Sequence, residues 1–142
     1  RWPSLLAPAP DWIICGLGGN DVTRIADGKP QVSLSESVAN LGELRRIAAQ
    51  RTAAQWTWLT PVPVDEERAA ANPGFQYGSS SWRNTDITAL ADAVRDLDDP
   101  VVDLVDVFGV PAHPDLQGVD GVHPSLAGQQ RIVTALVETL TA

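Results

Sequence analysis

Methionine is absent from all 142 residues, and cysteine, lysine and tyrosine occur once each. A lone Cys15 has no partner in the chain, so internal disulfide stapling is excluded. Lys29 is the single lysine among ten basic residues, which leaves almost no inventory for a lysine-based mechanism. Two histidines, His113 and His123, and one thiol are a thin ligand supply for a metal centre. Basic residues are outnumbered ten to eighteen by acids, giving a net charge of −8 and no phosphate-neutralising stripe, so nucleic acid is not an expected partner. No apolar run is long enough to span a bilayer, so no transmembrane segment is expected. The chain opens Arg1-Trp2-Pro3 without a signal-peptide pattern. Together with the missing methionine, this reads as a processed or truncated piece of a longer product, and its compartment stays unassigned.

What is present is ordinary globular material: 44% apolar and 20% charged residues, in a length that suits one domain. The repeating unit is an apolar strand followed by an amphipathic helix. Residues 12–17 form a continuous apolar run, the pattern of a strand covered on both faces in a parallel sheet. Asp27-Gly28-Lys29-Pro30 reads as a loop. Ser33 and Glu36 then form a capping-box pair ahead of Val38, Leu41, Leu44, Ile47 and Ala48 at helical spacing. A second strand is expected over 55–62, ended by Pro61 and Pro63. Residues 63–80 show no clear period and read as a long connection. Ile87, Leu90, Ala91, Val94 and Leu97 mark a second helix, 101–107 a third strand, and 108–122 a loop. A last helix begins near Pro124 and is buried through Ile132, Val133, Leu136, Val137 and Leu140. The alternation predicts an α/β layer architecture with right-handed crossovers.

Two short clusters sit just past strand ends, where open α/β sheets build sites. Gly18-Gly19-Asn20-Asp21 follows the first strand. Its glycines permit a sharp turn, and Asn20 can direct a neutral N–H donor into a cleft; the same residues are also ordinary turn chemistry. Asp120-Gly121-Val122-His123 precedes Pro124. At that spacing a carboxylate can take a proton from one imidazole nitrogen, fix the tautomer and leave the other nitrogen basic. An Asp turn followed by a backbone-satisfied histidine is the simpler alternative.

Taken together, these blocks resemble the carboxyl-terminal two thirds of an SGNH hydrolase, the family of GDSL esterases and lipases. Gly18-Gly19-Asn20-Asp21 is similar to that family's Gly-x-Asn-Asp block, and Asp120-Gly121-Val122-His123-Pro124 to its Asp-x-x-His block near the chain end. The resemblance implies a single domain over 1–142 with a three-layer α/β/α, flavodoxin-like fold and a mostly parallel sheet. It also implies a cofactor-free, metal-free serine hydrolase acting on carboxylic esters. By the same resemblance, His123 is the general base, Asp120 its orienting partner and Asn20 an oxyanion donor, with Gly18 and Gly19 shaping the loop that aims it. Many family members are exported.

The sequence departs from the family in one respect: it contains no Gly-Asp-Ser block, and Gly78-Ser79 lies in the mid-chain connection. The resemblance therefore implies an incomplete fold, short of its first strand-helix-strand segment by roughly 50–70 residues on ordinary element lengths. The serine is then expected on a companion amino-terminal segment. The strand at 12–17 would lie beside the absent one and present an open apolar edge. A non-catalytic binding or scaffolding module and, from Gly-Asn-Asp and His alone, a metal-dependent phosphoesterase are the other readings. Elsewhere, His113 between prolines reads as a surface loop, Cys15 as a buried inert thiol, and Trp56 and Trp58 as core on one strand face. Phe75, Tyr77 and Trp82 are candidates to line a cleft, and Asp96, Asp98 and Asp99 read as a solvated helix end.

Overall fold

The computed structural model describes residues 2–26 and 28–141. Arg1 and Asp27, the latter in the expected 27–30 loop, lie outside the described residues. The chain runs α1 (Trp2–Leu6), β1 (Trp12–Cys15), β2 (Arg24–Ile25), β3 (Lys29–Pro30), α2 (Leu34–Arg51) and β4 (Gln55–Leu59). It continues through α3 (Glu66–Ala71), α4 (Pro73–Tyr77), α5 (Asn84–Arg95), β5 (Val101–Val102), α6 (Leu104–Phe108) and α7 (Leu126–Thr141). The main sheet is parallel with order β1-β4-β5, and β2-β3 is a small antiparallel hairpin.

Strand β4 organises both faces of that sheet. Trp56 and Trp58 point to one face, as their alternation requires, and meet edge to face at 4.9 Å. There they pack with Cys15, with Leu41 and Ala48 of α2, and with Ile87, Leu90 and Val94 of α5. Leu59 and Val102 turn to the other face, against Leu104 and Phe108 of α6 and Ile132 and Leu136 of α7. Helices thus cover a parallel sheet from two sides, the expected α/β layering.

Local chemistry explains where these elements start and stop. Ser33 caps α2 by accepting from the Glu36 backbone N–H at 3.3 Å, as the capping pair predicts. The first two strands end sooner than expected, at Cys15 and Leu59. The third expected strand, over 101–107, is mostly helix. Only Val101 and Val102 pair with β4, because the Asp103 carboxylate accepts from the Val105 and Asp106 backbone N–H groups and starts α6. An unbroken apolar run fits strand and buried helix alike, and here the cap decides. The 63–80 connection holds two short helices, α3 capped by Asp65 and α4 by Asn72. The last helix starts at Leu126 rather than at Pro124: Pro124 pairs with Gln117 in an isolated bridge, and Ser125 accepts from the Gly128 N–H at 3.1 Å.

Three further expectations are corrected. Asp99 is not a solvated helix end, since it takes Arg45 in a bidentate pair at 2.7 and 3.0 Å, with that guanidinium 5.4 Å from the Trp56 ring. Val133 and Val137 are not buried but 59% and 52% exposed, so α7 is covered on a narrower stripe than its sequence pattern suggests. Strand β1 is not covered on both faces: it forms one edge of the sheet, with Trp12 40% and Ile14 42% exposed. An open apolar edge at that strand was itself expected.

Two helical glycines give opposite predictions. A Cβ at Gly42 in α2 meets nothing within 4 Å, so Gly42→Ala is expected to stabilise by about 0.5–1 kcal/mol through helix propensity. A Cβ at Gly128 in α7 runs into the Leu116 carbonyl, so Gly128→Ala is expected to destabilise by about 1–3 kcal/mol despite the same propensity gain. Thermal unfolding followed by circular dichroism checks both signs.

Candidate active site

The chain leaving β1 turns sharply to form one wall of a cleft at the carboxyl ends of the strands. Gly18 has φ +102°, a conformation L side chains rarely adopt, and an added Cβ would lie 3.0 Å from Leu90. The Gly18 carbonyl accepts from the Asp21 N–H at 2.9 Å, and the Asn20 carbonyl from the Thr23 N–H at 3.1 Å. Asp21 is fixed in turn by the Ser37 hydroxyl, which donates to it at 2.8 Å. Gly19 carries no such constraint, since a side chain there would enter open space. This sequence of turns leaves Asn20 exposed at the cleft.

The second wall is the loop before α7. Asp120 Oδ1 accepts from the backbone N–H groups of Val122 and His123, both at 2.9 Å, and its Oδ2 lies 2.6 Å from His123 Nδ1. Partial burial works to raise the Asp120 carboxyl. The His123 backbone N–H, the imidazole and the Val122 N–H outweigh it, so the group sits below the ordinary carboxylate range. Because that carboxylate only accepts, the neutral His123 ring carries its proton on Nδ1 and leaves Nε2 as the basic nitrogen. His123 is 75% exposed, so Nε2 is open to a reactant.

This loop is held from behind by α3. The Asp65 N–H donates to the Gly121 carbonyl at 2.8 Å, and Gly121 sits at φ +76° where a Cβ would lie 2.7–2.9 Å from Asp65, Arg68 and Ala69 atoms. The segment 63–66 is itself held by Asn84. Its side chain exchanges two hydrogen bonds with the Val64 backbone at 2.9 Å, and its backbone N–H donates to Glu66 at 2.7 Å.

Asn20 and His123, far apart in sequence, line one cleft of about 280 Å³. Gly16, Gly19, Thr60 and Trp82 share it, together with apolar side chains such as Leu59 and Val122. Gly18 lies just behind this wall, lining a neighbouring pocket with Gly19, Asn20 and Asp21. Of the three candidate cleft aromatics, Trp82 lines the site, Phe75 braces it edge to face at 4.7 Å, and Tyr77 is fully exposed elsewhere. His113 is exposed, is not among the residues lining the cleft, and accepts at Nδ1 from the Asp115 N–H at 3.3 Å. Cys15 is buried. Desolvation pushes its thiol up against a backbone hydrogen bond at Leu17, which makes a reactive thiolate unfavourable. Among the described residues, no group of three His, Cys, Asp or Glu is placed to hold a metal ion. Sequence reasoning missed Leu59, Thr60 and the α3 brace: the first two read as strand interior, and the brace works through backbone carbonyls that leave no residue-type signal.

Such a site can polarise a carbonyl with an amide donor and move a proton on and off an imidazole. The GDSL-like lipase/acylhydrolase family model matches residues 1–131. No curated protein matches the sequence. Solved structures that share the fold include the following two. One is titled "a putative platelet activating factor" from Streptococcus pneumonia, with TM-score 0.70, 20% identity, and coverage of 96% of this chain and 67% of that one. The other is a GDSL-like lipase from Bacteroides thetaiotaomicron, with TM-score 0.67, 18% identity, and coverage of 99% and 67%. The chain thus spans about two thirds of the length of each. With the family model matching nearly its whole length, the chain belongs to the GDSL-like lipase/acylhydrolase family.

Proposed function

We propose that this chain supplies the base and oxyanion half of a serine esterase cleaving carboxylic esters, with the nucleophilic serine on a companion amino-terminal segment. The convergence of Asn20 and His123 on one cleft, with Asp120 2.6 Å from His123 Nδ1, carries this reading. In it, His123 Nε2 takes the serine proton as the hydroxyl attacks the ester carbonyl. Asp120 stabilises the resulting imidazolium, and the Asn20 side-chain N–H₂ donates to the oxyanion. The same proton then passes to the leaving alcohol, and water repeats the cycle on the acyl-enzyme. No metal or cofactor enters any step.

The open sheet edge supports the companion segment. The Asp11 carbonyl accepts from the Gln55 N–H, so odd-numbered residues of β1 face β4 and the backbone groups of Trp12 and Ile14 face outward. A strand added there would satisfy them. On this reading, residues 1–142 are one domain short of its first strand-helix-strand unit. A second reading, an inactive binding or scaffolding module, is favoured by one observation: no Gly-Asp-Ser block exists in the chain.

The two readings separate by experiment. In the assembled protein a fluorophosphonate probe is expected to label a serine and ester turnover to survive chelation. His123→Ala is expected to lower kcat by at least about 10³-fold with the fold intact. Unchanged turnover in that variant overturns the role of His123, and no labelling favours the inactive module.

The role of Asp120 also has a pH signature. Its folded carboxyl lies below the unfolded value of about 3.9, so its contribution to stability is complete above that pH and is lost as pH falls through the folded value. Acid unfolding of the native chain and Asp120→Asn, followed by circular dichroism, is expected to converge below that range and diverge above it.

A further inference from the structure

The turn that carries Asp120 is held to α3 at both ends. At one end the Gly121 carbonyl takes the Asp65 N–H at 2.8 Å. At the other, the Gly118 carbonyl accepts twice: from the Gly121 N–H at 3.1 Å, which closes the turn, and from Arg68 Nη1 at 2.9 Å. The same Arg68 nitrogen lies 3.4 Å from the Pro114 and Gln117 carbonyls, so three backbone oxygens converge on one guanidinium corner. The Gly118 N–H in turn donates to the His123 carbonyl at 2.7 Å, so a shift of Gly118 is passed directly to the histidine backbone. Arg68 is held in place by Asp65, which accepts its backbone N–H at 2.9 Å and faces its Nε at 3.4 Å.

We propose that Arg68 is a positioning residue for His123: its guanidinium gathers the carbonyls of Pro114, Gln117 and Gly118 and so holds the turn in which Asp120 meets the imidazole. The proposal rests on the reading of His123 as the catalytic base and adds to it the group that holds the base in register. Without the cation, three carbonyl dipoles point at one another across a gap, and the loop relieves this by opening. Opening moves Gly118, lengthens its contact with His123 and loosens the 2.6 Å Asp120–imidazole contact. Lysine is an incomplete substitute. One ammonium can reach the Gly118 carbonyl, but it lacks the fork that reaches Asp65 and the carbonyls together.

The test uses this chain and its two histidines. His123 carries its neutral-form proton on Nδ1 beside Asp120, whereas His113 accepts at Nδ1 and carries it on Nε2. Ring ¹⁵N shifts report both tautomers in one spectrum. In Arg68→Met, which keeps the apolar stem, the Nδ1–H population of His123 is expected to fall by about half while His113 is unchanged. Arg68→Lys is expected to lose less. An unchanged His123 tautomer in the folded Met variant overturns the proposal, as does an equal shift at His113, which would mean general loosening. If the Met variant does not fold, a native His123 tautomer in Arg68→Lys overturns it, and so does failure of both variants to fold. The readout is the imidazole itself, so failed labelling of the assembled enzyme would remove the esterase reading without touching this result.

Discussion

Strand β4 pairs in parallel with β1 on one side and with β5 on the other, and every other feature of the site depends on that double pairing. Parallel pairing brings the carboxyl ends of all three strands to one edge, so the loops that follow them share a rim. The register is held by side chains that leave little freedom. Trp56 and Trp58 fill the space under α2 and α5, while Leu59 and Val102 take the opposite face under α6 and α7. A slip of one residue would turn both indoles out of their layer and put Thr57 in their place, which makes the register strongly specified.

On that rim, rigidity comes from backbone hydrogen bonds more than from packed side chains. The Asn20 wall is a succession of turns closed over Leu90, and the His123 wall is a tight loop fastened to the first turn of α3. Exposed side chains such as Asn20 and His123 depend on this kind of support, because a side chain open to solvent has no packing of its own to fix it. The two carboxylates of the second wall divide the work. Asp120 faces the imidazole, and Asp65 caps α3 and holds Arg68.

Exposed apolar side chains occur along β1, at Trp12, Ile14 and the following Leu17, and on α7, at Val133 and Val137. Among the described residues β1 and β5 are the two edges of the main sheet, each without a further strand on its outer side. The chain spans about two thirds of the length of each of the two structural neighbours.

The residue sequence by itself determined the α/β architecture and the short local turns and caps. Apolar runs followed by helical periodicity specify α/β layering, because burial on a sheet and on a helix demand different spacings. Asx turns and caps such as Ser33–Glu36 and Asp120–His123 act over three residues, so they were legible too. What lay beyond it were choices made between distant segments. Whether 101–107 continued as strand depended on Asp103 finding the Val105 and Asp106 N–H groups, with Thr60 accepting the Leu104 N–H at 2.7 Å. Asp99 looked solvated until Arg45 arrived from α2. The bracing of His123 by α3 runs through carbonyl oxygens, which every residue carries and no sequence pattern marks. Convergence of Asn20 and His123 on one cleft was likewise decided only by the fold, since it is the parallel sheet that carries their two loops to the same edge.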